Sequence, residues 1–213
     1  MTTYKVLIIG DSHIPRRAKE IPQPILDEIN ELAEEDPFDY TLFTGDLVKY
    51  DEFIEFLSSK TKGEVFIVMG NMDYHSGNKD APIYRELEVN IEKEGNNTLV
   101  LGLTHGSQIQ DRGNHSQLEK LARERGYNVL ISGHTHQEEI KLRPSGILLL
   151  NPGSVTGAWS FIASKVPAFI MMTIDTQNGR LKVILYQLDS KSGQLNSKTY
   201  YFNYTADKIQ EEA

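Results

Sequence analysis

The chain has 213 residues, a length typical of one domain with a full-sized hydrophobic core, and we expect a single domain over residues 1–213. It contains no cysteine, which excludes disulfide scaffolds, thiolate metal sites and thiol nucleophiles, so any metal must be held by oxygen and imidazole ligands. Its 22 basic and 30 acidic side chains give a net charge of −8, which disfavours polymeric nucleic acid and anionic lipid as partners.

The first apolar run, Val6 to Gly10, has only five residues, and no later run approaches the length of a membrane span. We therefore expect a cytoplasmic protein with no membrane partner. Four further short apolar runs are typical of strands that are buried on both faces; they cover residues 40–45, 65–70, 99–103 and 129–133. Helical patterns lie between them, around residues 25–33, 53–57 and 118–122. This alternation predicts an α/β fold with crossover helices.

Two segments interrupt the alternation and predict antiparallel hairpins. Residues 87–92 alternate with period two, and Gly95-Asn96-Asn97 would form the turn before a second arm at 98–104. After Pro167, two apolar arms flank Asn178-Gly179, the strongest short hairpin signal. Residues 198–202 could add an edge strand, and residues 206–213 read as a polar tail that is helical or frayed. We therefore expect a mixed sheet.

Each buried run is followed by side chains that can bind a metal. These side chains are Asp11 and His13, Asp46, Asn71 and Asp73, His105, and His134 with His136. In open α/β sheets the carboxyl ends of the strands form the ligand-binding edge, so residues far apart in sequence can meet there. The pattern predicts that these side chains converge on one site.

Taken singly, each of these residues has an ordinary explanation. An Asp or Asn after glycine is usually a turn former or a helix cap, and a lone His is usually a surface residue; His75 and His115 are interpreted in that way. However, four of the six histidines lie in the same register as two aspartates and an asparagine. Two carboxylates, one amide and four imidazoles are too many donors for one tetrahedral ion. We therefore predict a dinuclear metal site.

The assembled motifs resemble the calcineurin-like metallophosphoesterase superfamily. The matching blocks are Gly10-Asp11-Ser12-His13, Gly45-Asp46, Gly70-Asn71-Met72-Asp73, Thr104-His105-Gly106 and Gly133-His134-Thr135-His136. Further segments, including residues 151–158, are similar to the small prokaryotic phosphodiesterases and equally to the retromer subunit that shares their fold. The resemblance implies a four-layer α/β/β/α sandwich of two mixed sheets with helices outside.

The resemblance also implies a ligand set and an activity. One ion would be bound by Asp11, His13 and His136 and the other by Asn71, His105 and His134, with Asp46 bridging. Manganese is favoured, with zinc, nickel and iron as alternatives. Asp46, Asn71 and His105 would take direct part in catalysis. The implied reaction is hydrolysis of small phosphodiesters by in-line attack of a metal-bridging hydroxide.

Three positions leave the details of the site open. Many superfamily members have His directly after the asparagine ligand, where it is thought to protonate the leaving oxygen, but this chain has Met72, whose thioether cannot donate a proton. Asp73 could orient a ligand imidazole or cap the following turn. Asn151 and Gly153-Ser154 could line the site or form a simple turn.

Two alternatives concern what the protein does with such a site. The retromer relative uses the same fold as a protein-binding scaffold and is regarded as weakly active or inactive, so a scaffold with a vestigial or structural metal site is the second hypothesis. All seven ligand positions are filled here, which favours catalysis. The apolar hairpin from Phe169 to Tyr186 could also supply a self-complementary edge for a homodimer.

Overall fold

The computed structural model describes residues 3–49, 51–93 and 97–212, and within these ranges the chain forms twelve strands and four helices. The strands are β1 (Thr3–Ile9), β2 (Tyr40–Phe43), β3 (Val65–Ile67), β4 (Tyr84–Ile91), β5 (Asn97–Thr104), β6 (Val129–Ser132), β7 (Glu138–Leu142), β8 (Leu148–Pro152), β9 (Ala168–Asp175), β10 (Arg180–Leu188), β11 (Leu195–Thr205) and β12 (Lys208–Glu211). The helices are α1 (Gln23–Glu34), α2 (Asp51–Ser59), α3 (Asn71–His75) and α4 (His115–Arg125). No helix in the described ranges is long and apolar enough to cross a membrane.

The strands form two mixed sheets, as expected. The first has seven strands in the order β12-β11-β10-β9-β1-β2-β3, in which β1 to β3 are parallel and the remaining pairs are antiparallel. The second has five strands in the order β4-β5-β6-β8-β7, in which β5, β6 and β8 are parallel. Parallel neighbours put their carboxyl ends at the same edge, so β1, β2 and β3 end together, as do β5 and β6.

The two sheets pack face to face between outer helices. In β1, Val6 and Ile8 point into the apolar core between the sheets, whereas Leu7 and Ile9 point into a second core with the residues of α1 and α2. Such alternation is the two-residue period of a strand buried on both faces. The outer face of the five-stranded sheet packs on α4 through a third cluster that includes Leu118 and Leu130. The predicted four-layer α/β/β/α sandwich is therefore confirmed.

The longer helices form where the sequence predicted them. In α1, Ile25, Ile29 and Ala33 recur every four residues and are all buried. In α4, the Asn114 carboxamide oxygen accepts the N–H groups of Ser116 and Gln117 at 3.1 Å, which caps the first turn. The sequence missed α3 because its five residues are too few to show a helical period.

Both hairpins also form, although one has a different role than expected. β4 pairs antiparallel with β5, and the Gly95-Asn96 part of its predicted turn lies outside the described residues. β9 pairs antiparallel with β10, but β9 also pairs with β1 and β10 with β11. The Phe169 to Tyr186 hairpin is therefore interior to the sheet, and the prediction that it offers a free edge to a second copy is wrong.

The end of the chain is a strand where the sequence suggested a helix or a frayed tail. β12 pairs antiparallel with β11, and its Ile209 is buried in the core between the sheets. The reversal between the strands is made at Ala206 and Asp207, which both have positive φ angles, 51° and 60°. Two consecutive residues of this kind are typical of a tight hairpin turn, here made without Asn-Gly.

Candidate metal centre

The predicted ligands lie at one edge of the sandwich, where the carboxyl ends of strands from both sheets meet. Asp11 and His13 follow β1, Asp46 follows β2, and Asn71 begins α3 after β3. From the other sheet, His105 follows β5, and His134 and His136 follow β6. The structure thus brings together side chains that are far apart in sequence, such as His13 and His136, which are 123 residues apart.

Four of these residues form a compact group, which we call the Asp11 group: Asp11, His13, Asp46 and His136. One ligand atom from each lies within 4.8 Å of all the others, and all four residues are buried. The His136 Nε2 atom is 3.2 Å from Asp11 Oδ1, and the His13 Nε2 atom is 3.3 Å from Asp46 Oδ2. Two carboxylates and two imidazoles in this arrangement can hold a divalent cation.

The other three residues form the His105 group, which lies beside the first: Asn71, His105 and His134. The His105 Nε2 atom is 3.1 Å from the Asn71 carboxamide oxygen and 3.2 Å from His134 Nδ1. It also lies 3.4 Å from Asp46 Oδ2, the same oxygen that faces His13. Asp46 is therefore placed between the two groups.

Two of the imidazoles are oriented by backbone carbonyls on the side away from the cluster. The His105 Nδ1 atom is 2.8 Å from the Thr44 carbonyl oxygen, and the His136 Nδ1 atom is 2.8 Å from the Ala158 carbonyl oxygen. A proton on Nδ1 donates to each carbonyl and leaves the Nε2 lone pair facing the cluster. This is the arrangement usual for metal-bound histidines. Thr44 and Ala158 were not found from the sequence because they act through backbone atoms.

Several buried polar atoms of the cluster lack a hydrogen-bond partner. Asp11 Oδ1 and His13 Nδ1 are fully buried and accept or donate no hydrogen bond within the described part of the chain. The other Asp11 oxygen, Oδ2, accepts the Thr44 hydroxyl and the His134 N–H, both at 3.2 Å. The Nε2 atoms of His13 and His136 are only 2.9 Å apart. The unpartnered Asp11 Oδ1 atom, which lies 3.2 Å from His136 Nε2, and the two closely placed Nε2 atoms fit a bound cation.

The pKa values of these groups are shifted in different directions. Burial by itself raises the pKa of Asp11, but His136 and His13 hold that pKa well below its usual range. Burial raises the pKa of Asp46. Burial, with His105 and Arg112 nearby, lowers the pKa of His134 to about 3. Burial also lowers the pKa of His136, but the adjacent Asp11 carboxylate outweighs it and raises that pKa above its ordinary value.

The backbone of the cluster is strained. Five of the seven predicted ligands have φ angles in the left-handed region, between 52° and 69°: Asp11, His13, Asp46, His134 and His136. Such conformations persist only where the surrounding structure holds them, and they concentrate at functional sites. Here the Asp11 N–H donates to the Gly45 carbonyl at 2.9 Å and the His13 N–H to the Asp46 carbonyl at 3.0 Å. These hydrogen bonds join the loop after β1 to the loop after β2 and stabilise both conformations.

Two glycines allow the ligand carboxylates to lie against the backbone. A Cβ atom on Gly70 would overlap Asp46 Oδ1, and one on Gly133 would overlap Asp11 Oδ2. Both glycines belong to the motifs that the sequence singled out. Because glycine has no Cβ atom, the backbone at these two positions can pack directly against the carboxylates of Asp46 and Asp11.

Asp73 supports the loop that carries Asp46. Its Oδ2 atom accepts the N–H groups of Asp46 at 2.7 Å and Gly70 at 3.0 Å, and its Oδ1 atom accepts the Val48 N–H at 2.7 Å. The expectation that it orients a ligand imidazole is therefore not met, whereas the capping alternative is met through Gly70. The bond to Val48 also stabilises an unfavourable backbone conformation, because this β-branched residue has a φ of 75°.

Replacing Asp73 with Ala is expected to lower the free energy of unfolding by about 3 to 5 kcal/mol, because three N–H groups lose a charged acceptor. Urea denaturation of the metal-free protein measures this loss. Asp51→Ala, in the exposed first turn of α2, serves as the matched control and should cost less than about 1 kcal/mol. Equal effects of the two substitutions would contradict this role of Asp73.

The segment from Asn151 to Thr156 does not line the site. Its side chains form hydrogen bonds with the loops after β1 and β6, which carry the predicted ligands. The Asn151 side-chain amide donates to the Gly133 carbonyl and to the Thr135 hydroxyl, both at 3.0 Å. The Ser154 hydroxyl donates to the Asp11 carbonyl at 2.6 Å, and the Thr156 hydroxyl donates to the Ser12 carbonyl at 2.9 Å. These bonds fix the loops after β1 and β6 relative to each other.

The two remaining histidines lie outside the cluster, as the sequence suggested. His115 begins α4, and its Nε2 atom is 2.7 Å from a Glu139 carboxylate oxygen. His75 ends α3, is exposed, and lines a pocket that also includes Asn71. Arg112 donates to the His134 carbonyl at 3.2 Å and places a positive charge near the ligand loops.

Comparisons with known proteins show the family to which this chain belongs. A family model described as the calcineurin-like phosphoesterase superfamily domain matches residues 4–179, which include all seven converging residues. A probable metallophosphoesterase from Methanothermobacter thermautotrophicus is 38% identical over 149 residues, covering 70% of this chain and 76% of the relative.

Solved structures with the same fold are also similar in sequence. Vacuolar protein sorting 29 (Vps29) from Cryptosporidium parvum has a TM-score of 0.78 and 29% identity over 94% of this chain and 98% of that chain. Vps29 from Entamoeba histolytica, solved in complex with Zn²⁺, has a TM-score of 0.74 and 27% identity over 92% of this chain and 98% of that chain. The fold is thus shared along nearly the whole length of these chains.

Proposed function

Because this chain belongs to the calcineurin-like phosphoesterase superfamily, we propose that it is a hydrolase that cleaves small phosphodiesters with the help of two divalent metal ions. The observation that carries the proposal is the convergence of seven ligand side chains from both sheets, with their donor atoms facing one another. The Asp11 Oδ1 atom is buried without a hydrogen-bond partner in the described part of the chain and lies 3.2 Å from His136 Nε2, which supports the presence of a cation between them.

We assign the two groups of side chains to two ions. Asp11, His13 and His136 would hold one ion, and Asn71, His105 and His134 the other. Asp46 would serve both, since its Oδ2 atom is within 3.4 Å of the Nε2 atoms of His13 and His105. Manganese is the first candidate, and the Zn²⁺ complex of the Entamoeba Vps29 supports zinc as an alternative.

When bound, two divalent ions would supply the positive charge that holds a phosphate group and would lower the pKa of the attacking water. The protein's own contribution is to fix the donors in advance. Asp46 Oδ1 accepts the Met72 N–H at 2.7 Å, so that only Oδ2 is presented to the cluster. The carbonyl groups of Thr44 and Ala158 hold His105 and His136 in the tautomer that presents Nε2. Such preorganised groups need no rearrangement during the reaction.

The test is hydrolysis of bis-p-nitrophenyl phosphate by metal-stripped protein reconstituted with manganese, nickel, zinc or magnesium, with the bound metal counted by elemental analysis. We expect turnover that depends on metal and reaches its maximum at two ions per chain. Two bound ions without turnover under any of these conditions would contradict the enzymatic proposal.

The rate is expected to depend steeply on the acidity of the leaving group, because Met72 occupies the position from which a proton could be donated. A general acid typically contributes about 10² to 10⁴ in rate, so nitrophenyl diesters should react at least about a hundredfold faster than alkyl diesters. Rates for a series of diesters with different leaving groups measure this dependence. A shallow dependence that becomes steep in His75→Ala would instead identify His75 as a proton donor.

The affinity for Mn²⁺ is expected to rise with pH through the ordinary histidine pKa of about 6.5 and to keep rising above it. The reason is that His136, whose pKa is raised, must lose its proton before Nε2 can bind a metal. His134 adds nothing to this rise, since its pKa of about 3 leaves it neutral. Calorimetric titrations between pH 6 and 9 measure the change, and an affinity that is constant above pH 6.5 would contradict it.

A protein-binding scaffold is the second candidate function. The similarity to two Vps29 structures at 27% and 29% identity favours it, since Vps29 is named for vacuolar protein sorting rather than for hydrolysis. Exposed Trp159, Phe161 and Ile162 also lie in the segment after Ala158. The reconstitution experiment separates the two functions, because a scaffold would bind metal without turnover.

A further inference from the structure

A pocket of about 250 Å³ opens beside Asn71, whose carboxamide oxygen lies 3.1 Å from His105 Nε2. Its walls come from three segments at the same edge of the sandwich: helix α3 with Asn71, Tyr74 and His75, the segment before β4 with Ile83, and the segment after β5 with Ser107 and Gln108. Because Asn71 belongs both to the pocket and to the His105 group, a molecule bound at the centre can extend directly into the pocket.

The pocket is built from fixed backbone segments. The Met69 N–H donates to the Pro82 carbonyl at 2.8 Å, and the Thr104 hydroxyl donates to the Ile83 carbonyl at 3.0 Å. The Gln108 side-chain amide donates to the Thr104 hydroxyl at 2.9 Å. These bonds fix the segments before α3, before β4 and after β5 relative to one another, so the pocket is formed before a ligand arrives.

The chemistry of the walls favours a flat, apolar group. Tyr74 and Ile83 are large apolar side chains that are each 49% exposed, and both line the pocket. The Lys79 ammonium lies 4.3 Å from the centre of the Tyr74 ring and the His75 ring meets that ring at 79°, so Tyr74 is held from two sides. Among the described residues that line the pocket, none carries a carboxylate that would repel a phosphate ester.

The volume limits what the pocket can hold. It is smaller than the roughly 300 to 1,000 Å³ of sites for drug-sized ligands, and one ring system is about what it can take. Resting on the proposed function, we infer that this pocket binds one ring-bearing substituent of the substrate, so that the preferred phosphodiesters carry an aryl group or a nucleobase on the Asn71 side. Tyr74 and Ile83 are then specificity-determining residues.

The inference is tested by calorimetric binding of phenylphosphonate and methylphosphonate to the manganese-loaded protein, a measurement that needs no turnover. Each probe has one organic group attached to a phosphonate that would occupy the metal centre. We expect phenylphosphonate to bind about tenfold more tightly or better, as burial of most of one ring predicts. Tyr74→Ala and Ile83→Ala should each lower this preference at least about threefold without changing the affinity for methylphosphonate.

Phe161→Ala is the matched control, because Phe161 is an exposed aromatic residue in the segment that follows Ala158, on the His136 side of the centre. It should leave the preference for phenylphosphonate unchanged. Equal affinities of the two probes for the unmodified protein, or a preference that survives in the Tyr74→Ala/Ile83→Ala double variant, would overturn the pocket inference alone. Failure of both probes to bind would overturn the proposed anion site and the inference with it.

Discussion

Asp46→Asn is expected to lower metal-dependent hydrolysis of bis-p-nitrophenyl phosphate by about a thousandfold or more and to reduce the bound metal below two ions per chain. The substitution keeps an oxygen that can accept the Met72 N–H, which Asp46 Oδ1 accepts at 2.7 Å. It places an amide nitrogen where Oδ2 faces the imidazoles of His13 and His105. An NH₂ group cannot bind a cation, and the loss of one charged group at a catalytic centre typically costs about 10² to 10³ in rate even without loss of metal.

The matched control for Asp46→Asn is Asp80→Asn, a substitution of an exposed aspartate between α3 and β4. It changes the net charge by the same amount but should leave both the activity and the metal content unchanged. Far-ultraviolet circular dichroism and thermal unfolding show whether either variant is misfolded. Full activity of a folded Asp46→Asn protein would show that this carboxylate is not shared by the two ions.

Gly70→Ala is expected to reduce the activity by two or more orders of magnitude, although it adds only one methyl group. The φ angle of Gly70 is −84°, so alanine meets no conformational penalty there. Its Cβ atom would instead overlap both Asp46 Oδ1 and the Asp46 backbone nitrogen and would displace the carboxylate that lies between the two ligand groups. The expected result is therefore a loss of activity and of metal affinity, accompanied by a loss of stability from the backbone contact.

Gly77→Ala is the opposite case and serves as the control. Gly77 has a φ of 89°, which alanine rarely adopts, but a Cβ atom there would meet nothing within 4 Å. We expect Gly77→Ala to cost about 1 to 2 kcal/mol of stability and to keep its activity. Steady-state kinetics and urea denaturation of both variants measure these effects, and a Gly70→Ala protein with normal kinetics would contradict the role assigned to close packing at Asp46.

The strands could be predicted from the sequence where the pattern of apolar residues follows the burial of those residues. Val6 to Ile9 read as a strand buried on both faces, and in the structure alternate residues enter different cores. β7 was missed because Glu138–Leu142 is half-buried throughout and carries charged residues, so it shows neither an apolar run nor a clear alternation. β12 was missed because its turn uses Ala206 and Asp207 instead of a standard hairpin pair.

The convergence of the seven predicted ligands could be predicted from residue type and position, but the hydrogen bonds that support these residues could not. Asp73 could be assigned two roles from the sequence, and only the hydrogen bonds to Asp46, Gly70 and Val48 distinguish them. The left-handed backbone at five ligands had a weak signal in the sequence, since Asp and His tolerate this conformation better than most residues. The sequence contained no signal for the role of the Thr44 and Ala158 carbonyl groups, because every residue has a backbone carbonyl.

The hydrogen bond from the His105 ring to the Thr44 carbonyl joins a loop of the five-stranded sheet to a loop of the seven-stranded sheet. The Asp11 carboxylate makes a second such link by accepting the His134 N–H from 123 residues away. Contacts of this range form only after a large loss of chain entropy, when the sheets have already docked. A chain with only one sheet formed would therefore hold at most four of the seven donors. A complete centre is present only in chains whose two sheets have docked correctly.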